Sequence, residues 1–165
     1  MRDMLAQTPL DRIDYGILDL LQKDGRLSNK ELAAEVGLAP SSCLERVRRL
    51  RTAGHLRGYH ADVAPTSLGI DLQALVFVEL AGHTRRTWRT FTDEVGGADE
   101  VVALYNVAGR HDFVLHVAVR DTHHLREFAL DRLTSREDVR RIETSLVFEH
   151  VRSPALPNFR RRAED

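Results

Sequence analysis

The chain has 165 residues, 42% of them hydrophobic and 30% charged, with a formal net charge of −1. That length accommodates two small domains or one of ordinary size. No apolar run reaches the roughly 18 residues a membrane span needs, and a single cysteine excludes both an intramolecular disulfide framework and a multi-cysteine zinc site. The opening MRDMLAQTPLDR lacks the apolar core of a signal peptide, so a cytoplasmic location with no membrane partner is expected. The near-neutral total hides a local cluster: residues 44–58 carry Arg46, Arg48, Arg49, Arg51 and Arg57 against the single Glu45. A compact basic footprint of this kind suits a nucleic-acid duplex.

The first helix is predicted from about Leu10 to Lys23, with Asp11 as cap, Asp14 in capping-box spacing, and Ile13, Ile17, Leu20 and Leu21 as the buried stripe. Asp24-Gly25 ends it. Ser28-Asn29-Lys30-Glu31 is a second capping box, opening a helix that buries Leu32 and Val36 and stops at Gly37. A turn of a few residues leads to a third helix, Pro40 to about Thr52, with proline in the first-turn position where it fits. Two short helices joined by a tight turn containing glycine are a helix-turn-helix.

The third helix has two chemically different faces. Cys43, Val47 and Leu50 stand at i, i+4 and i+7 and form an apolar stripe. The thiol packs there as a small hydrophobe, where burial suppresses its reactivity. Ser41, Glu45 and Arg48 lie opposite, with Ser42 and Arg49 on a flank and Arg46 at the boundary. Small polar groups let a helix approach base edges, and arginines contact phosphates or read guanine. After Ala53-Gly54, His55–Val63 reads as a short extended ribbon pivoting at Gly58, which makes the unit a winged helix with His55 and Arg57 near the DNA backbone. The candidate DNA-contacting residues are therefore Ser41, Ser42, Glu45, Arg46, Arg48, Arg49, His55 and Arg57.

A loop at Pro65–Asp71 marks the boundary between residues 1–64 and 65–165. Leu72–Leu80 is a predicted buried strand and Arg85–Val95 a helix with Trp88, Phe91 and Val95 on one face. Val101–Val107 and Phe113–Val119 are strands joined by a short turn, Thr122–Leu133 is a helix, and Val139–Val147 is the last strand. The order strand, helix, strand, strand, helix, strand is the ferredoxin-like pattern, so the fold class is α+β. Helices cover one face of such a sheet. Strands such as LVFV leave the other apolar, and pairing with a second copy covers it. The C-terminal NFRRRAED reads as a disordered tail.

LDxxDxxIL, the DGR turn, CLERVRRL, and the spaced Gly54, Gly58-Tyr59 and Ala61 together closely resemble the N-terminal half of the Lrp/AsnC regulators, and the second half is similar to their effector-binding, oligomerising domain. Ala39 departs from the serine that usually caps the recognition helix, a loss worth about 1 kcal/mol. The resemblance implies a homodimer with higher assembly to a tetramer or octamer, a pseudo-palindromic double-stranded DNA site, and an amino acid or related metabolite as effector, with no cofactor. It also places the effector beside a G-D-x-D-like turn, here Gly109, Arg110, His111 and Asp112, with Thr144 near the same cleft. Asp112 could receive an α-ammonium and the turn's N–H groups an α-carboxylate, although G-x-x-D is also an ordinary hairpin turn. Arg110 in place of an acid bears on which effector binds.

The eight histidines show no H-x-x-x-H pair on any helix, and no serine or cysteine nucleophile has an evident base, so neither a metal site nor a catalytic site is expected. Two rivals stand beside the ligand-responsive regulator. One is an architectural protein wrapping DNA with little sequence preference. The other is an enzyme, since sirohaem decarboxylase subunits look similar in both halves.

Overall fold

The structure is a computed structural model that describes residues 9–153 and 155–160. By contact density the chain divides into two units. Residues 63–150 form one, and residues up to 62 join those from 151 onward in the other. The boundary thus falls two residues before the expected one, and the segment after 150 belongs with the N-terminal unit.

The N-terminal unit contains α1 (Arg12–Lys23), α2 (Asn29–Glu35) and α3 (Pro40–Thr52). Both capping boxes form as spaced. Asp11 Oδ1 accepts the Asp14 N–H at 2.9 Å while Asp14 Oδ2 accepts the Asp11 N–H at 3.2 Å, and Ser28 and Glu31 exchange the same pair of bonds. Gly37 takes the left-handed stop at φ 70°. Ile17, Leu21, Leu32, Ala33, Cys43 and Leu50 make the core, with Ile13, Leu20, Val36 and Val47 packed around it. Burial pushes the Cys43 thiol above its ordinary pKa, and the nearby Arg46 charge opposes this only in part.

Two expectations change here. Residues 55–63 form no strand, so the expected ribbon is an irregular linker and not a wing. A strand needs a partner for its N–H and C=O groups, and none of the described strands pairs with it. Its Tyr59 ring lies over the turn instead, so close to Gly25 that a Cβ there would meet it at 3.0 Å. The start of the tail is also held. The Leu156 N–H donates to Gln22 Oε1 at 2.9 Å and Asn158 Nδ2 to Asp19 Oδ1 at 3.1 Å, which ties residues 156–158 to α1. The remainder of that tail, residues 161–165, lies outside the described residues.

The second unit is a four-stranded antiparallel sheet, β1 (Leu72–Leu80), β2 (Val101–Asn106), β3 (Phe113–Val119) and β4 (Val139–Leu146), in the order β2-β3-β1-β4. Helices α4 (Arg85–Val95) and α5 (Thr122–Ala129) complete the ferredoxin-like arrangement. Ala74, Val76, Val78 and Leu80 of β1 and Phe113, Leu115, Val117 and Val119 of β3 are buried in the core, with Phe91, Val95, Leu125, Phe128 and Leu133 from the helical segments. Phe91 stacks on Phe113 at 4.7 Å and Trp88 meets Phe113 edge-on at 6.1 Å. The expected last turn of α5 widens into a π-helical turn, Leu130–Thr134, which leaves Leu130 exposed and Leu133 fully buried. The alternate residues Leu75, Phe77, Val114 and His116 point to the opposite face and stay half-buried. No helix among the described residues is long and apolar enough to cross a membrane.

Candidate functional site

Two sites take shape, one in each unit. On α3 the N-cap Ala39 makes no side-chain cap bond, but Asn29 Nδ2 donates to the Pro40 carbonyl at 2.7 Å and ties the start of α3 to α2. Ser41, Ser42, Glu45 and Arg48 are exposed, as the helical spacing requires.

Arg46 and Arg49 are placed differently. Arg46 Nη1 donates to Asp11 Oδ2 at 2.6 Å and to Asp14 Oδ1 at 2.9 Å, while Arg49 Nη2 donates to both Asp14 oxygens at 2.9 and 2.7 Å. The Asp14 side chain is only 1% exposed. A carboxylate buried so deeply is stable only when its lone pairs are filled, and two guanidiniums and the Asp11 amide fill them. Two arginines against two carboxylates cancel, so this cluster adds no net charge to the surface. The net positive charge comes from Arg48, Arg51 and Arg57, which are exposed and make no ion pair among the described residues. His55 is also turned inward, with its Nε2 enclosed and without a hydrogen-bond partner.

One exposed residue of α3 escaped the sequence reading. Leu44 is 39% exposed and absent from the core cluster around Cys43 and Leu50. The spacing 41, 44, 45, 48 is i, i+3, i+4, i+7, so it shares a face with Ser41, Glu45 and Arg48. That spacing was the available signal.

In the second unit Gly109 turns the β2–β3 connection at φ 133°, a conformation other residues rarely adopt. Asp112 fastens the turn to the end of β1. Its N–H donates to the Val78 carbonyl at 2.9 Å, its Oδ2 accepts the Leu80 N–H at 2.8 Å, and its Oδ1 lies 3.1 Å from His83 Nδ1. With the side chain 13% exposed, most of its acceptor capacity is already used.

The acid that meets the turn is Glu143 on β4, half-buried. Its Oε1 lies 3.0 Å from Arg110 Nη2, 3.2 Å from Arg141 Nη2 and 3.8 Å from His111 Nε2. The last distance is too long for a hydrogen bond, and His111 Nε2 is buried without a partner. The His111 ring rests against Phe77 at 5.2 Å. Strand register explains the arrangement. Glu143 pairs with Phe77 on the open face, whereas Thr144 pairs with Val76 on the helix-covered side. The structure therefore brings Arg110 and His111 to Glu143, fastens Asp112 to the end of β1 instead, and sends Thr144 to the other face. Period-two alternation along β4 was the signal for Glu143. Among the described residues no three His, Cys, Asp or Glu side chains gather as metal ligands would.

Comparison with known proteins adds the following. Residues 10–51 match the AsnC-type helix-turn-helix domain, and residues 73–156 match the Lrp/AsnC ligand binding domain. The HTH-type transcriptional regulator AldR of Mycobacterium tuberculosis is 44% identical over 146 residues, covering 88% of this chain and 82% of that protein. The leucine-responsive regulatory protein of Escherichia coli is 38% identical over 143 residues, covering 87% of each. A crystal structure of a Neisseria meningitidis transcriptional regulator in complex with L-methionine superposes with a TM-score of 0.80 at 33% identity, covering 88% of this chain and 94% of that one.

Proposed function

Because the chain belongs to the Lrp/AsnC family of DNA-binding transcriptional regulators, we propose that it is a sequence-specific regulator whose DNA binding responds to an amino acid or related metabolite held between C-terminal domains. The relatives above are named as transcriptional regulators, which favours this reading over an enzyme. The observation that carries the effector reading is the charged cluster at the β2–β3 turn. A zwitterionic ligand can replace the Arg110–Glu143 ion pair with two new ones, its ammonium on Glu143 and its carboxylate on Arg110. One relative holds L-methionine, a zwitterion of this class.

The half-buried sheet face carrying Leu75, Phe77 and Val114 supports a homodimer, and a two-fold axis through it calls for two half-sites about one helical turn apart. Association of such dimers into a tetramer or octamer would bring effector sites to the contacts between them. Effector binding would then alter assembly geometry, and hence half-site spacing, by differential affinity for two states.

Gel-shift binding to the DNA upstream of its own gene, at fixed salt and with a panel of amino acids, tests this. Retardation at nanomolar protein that survives competitor DNA and changes with one amino acid is the expected result. Uniform coverage without a preferred site would favour DNA wrapping, and no specific retardation would defeat the regulator reading at that locus.

A further inference from the structure

We propose that Leu44 is a base-reading residue, packing its side chain against the C5-methyl group of a thymine in the major groove. Leucines exposed singly need no explanation, but the place of this one is specific. It stands in the fifth position of α3, one turn beyond Ser41 and one turn before Arg48, on the flank of the exposed face that those two residues share. The N-terminal half of a recognition helix is the part that meets base edges. Ser41 and Ser42 are short enough to let that half approach closely. The arginines of the opposite flank, Arg46 and Arg49, are held by Asp14 on α1.

Beside Ser41 and Arg48, on the flank of the outer face, stands an isobutyl group. The thymine methyl is the one apolar group the major-groove edges offer. A leucine rewards that methyl, and it penalises guanine O6 or cytosine N4, which it would desolvate without returning a hydrogen bond. Leu44 therefore selects an A·T pair in each half-site, with Arg48 reaching the neighbouring phosphate or guanine.

The proposal rests on α3 being the recognition helix, and the experiment separates the two. Sites are selected from random duplexes with the full-length protein, and each thymine of the preferred site is replaced in turn by deoxyuridine. Fluorescence anisotropy at one salt concentration should show one symmetric pair of thymines at which uracil costs about four-fold per methyl group. Leu44→Ala should bind the thymine and uracil sites equally while keeping the wild-type salt slope and thermal midpoint. The proposal is overturned if uracil is neutral at every thymine with the wild-type protein, an arm that needs no variant. It is equally overturned if Leu44→Ala loses the same factor on both sites, or if it changes only the mass of the assembly, which would mark a protein contact. Arg48→Ala, run in parallel, assigns the failure. If it shifts the selected sequence and Leu44→Ala does not, only the leucine reading falls; if neither shifts it, the assignment of the recognition helix falls as well.

Discussion

Arg49 grips both carboxylate oxygens of Asp14, 35 residues earlier in the chain, at 2.9 and 2.7 Å, and so joins α3 to the first turn of α1. Arg46 reaches the same carboxylate from the preceding turn. The basic helix is thus anchored by part of its own charge.

Asp14→Asn should destabilise the N-terminal unit and strengthen non-specific DNA binding together. Breaking a buried ion pair costs up to about 3 kcal/mol, reduced here because the Arg49 side chain is half exposed and can rehydrate. Arg46 keeps Asp11, so the one released guanidinium, Arg49, should steepen the logarithmic salt dependence of DNA affinity by about one. Urea unfolding and binding across a salt series read the two effects. A variant that lost stability with an unchanged salt slope would show that Arg49 does not reach DNA once freed.

Acid should weaken the fold in a defined window. For Asp11, burial works to raise the carboxyl pKa, but the Asp14 amide and the Arg46 guanidinium outweigh it and hold the group below its ordinary value. Glu100 behaves alike: burial raises it, while its own backbone amide and His124 bring it lower. A carboxyl depressed in the folded state stabilises the fold above its unfolded pKa and loses that contribution as pH falls through the folded value. Urea midpoints should stay level at neutral pH and decline from the ordinary carboxylate range downward. Asp11→Asn with Glu100→Gln should flatten the decline, and an unchanged slope in the double variant would exclude these two groups as its source.

Glu143→Gln should lower effector affinity by about ten-fold or more, since a hydrogen bond to a charged group is worth about 1.5–3 kcal/mol. DNA affinity without effector should be unaltered. Calorimetric titration with the amino acid that shifts DNA binding in the wild-type protein checks this, and equal affinity for variant and wild type would place the ammonium elsewhere.

Gly109→Ala tests conformation alone, because nothing lies within 4 Å of where the new Cβ would stand. At φ 133° the strain should cost about 1–3 kcal/mol. The thermal midpoint of the C-terminal unit should drop accordingly, and a variant as stable as wild type would mean that the turn relaxes freely.

Leu75→Glu places a charge on the open sheet face, opposite His116 and Ser145. Light scattering should show the assembly falling to monomers with unfolding otherwise little changed. An unaltered mass would show that the copies meet through another surface.

The sequence by itself determined whatever depends on neighbours a few residues apart. Capping boxes at Asp11 and Ser28 set the starts of α1 and α2, and Pro40 and the 43-47-50 stripe set α3. The mainly apolar run LQALVFVEL, with Val76, Phe77 and Val78 at its centre, marked β1 at its observed limits, Leu72–Leu80. Local hydrogen bonds and period settle these elements, and their order settled the fold. Charge partners are another matter, because an arginine on a helix surface carries no mark of what it meets. Only packing α1 against α3 showed that Arg46 and Arg49 face Asp14. Alternation likewise divides β4 into two sets without saying which set is covered. Pairing with β1 decided that, turning Glu143 toward the arginines and Thr144 toward the helix side. The linker at 55–63 follows the same logic, since an extended segment becomes a strand only where the fold supplies a partner.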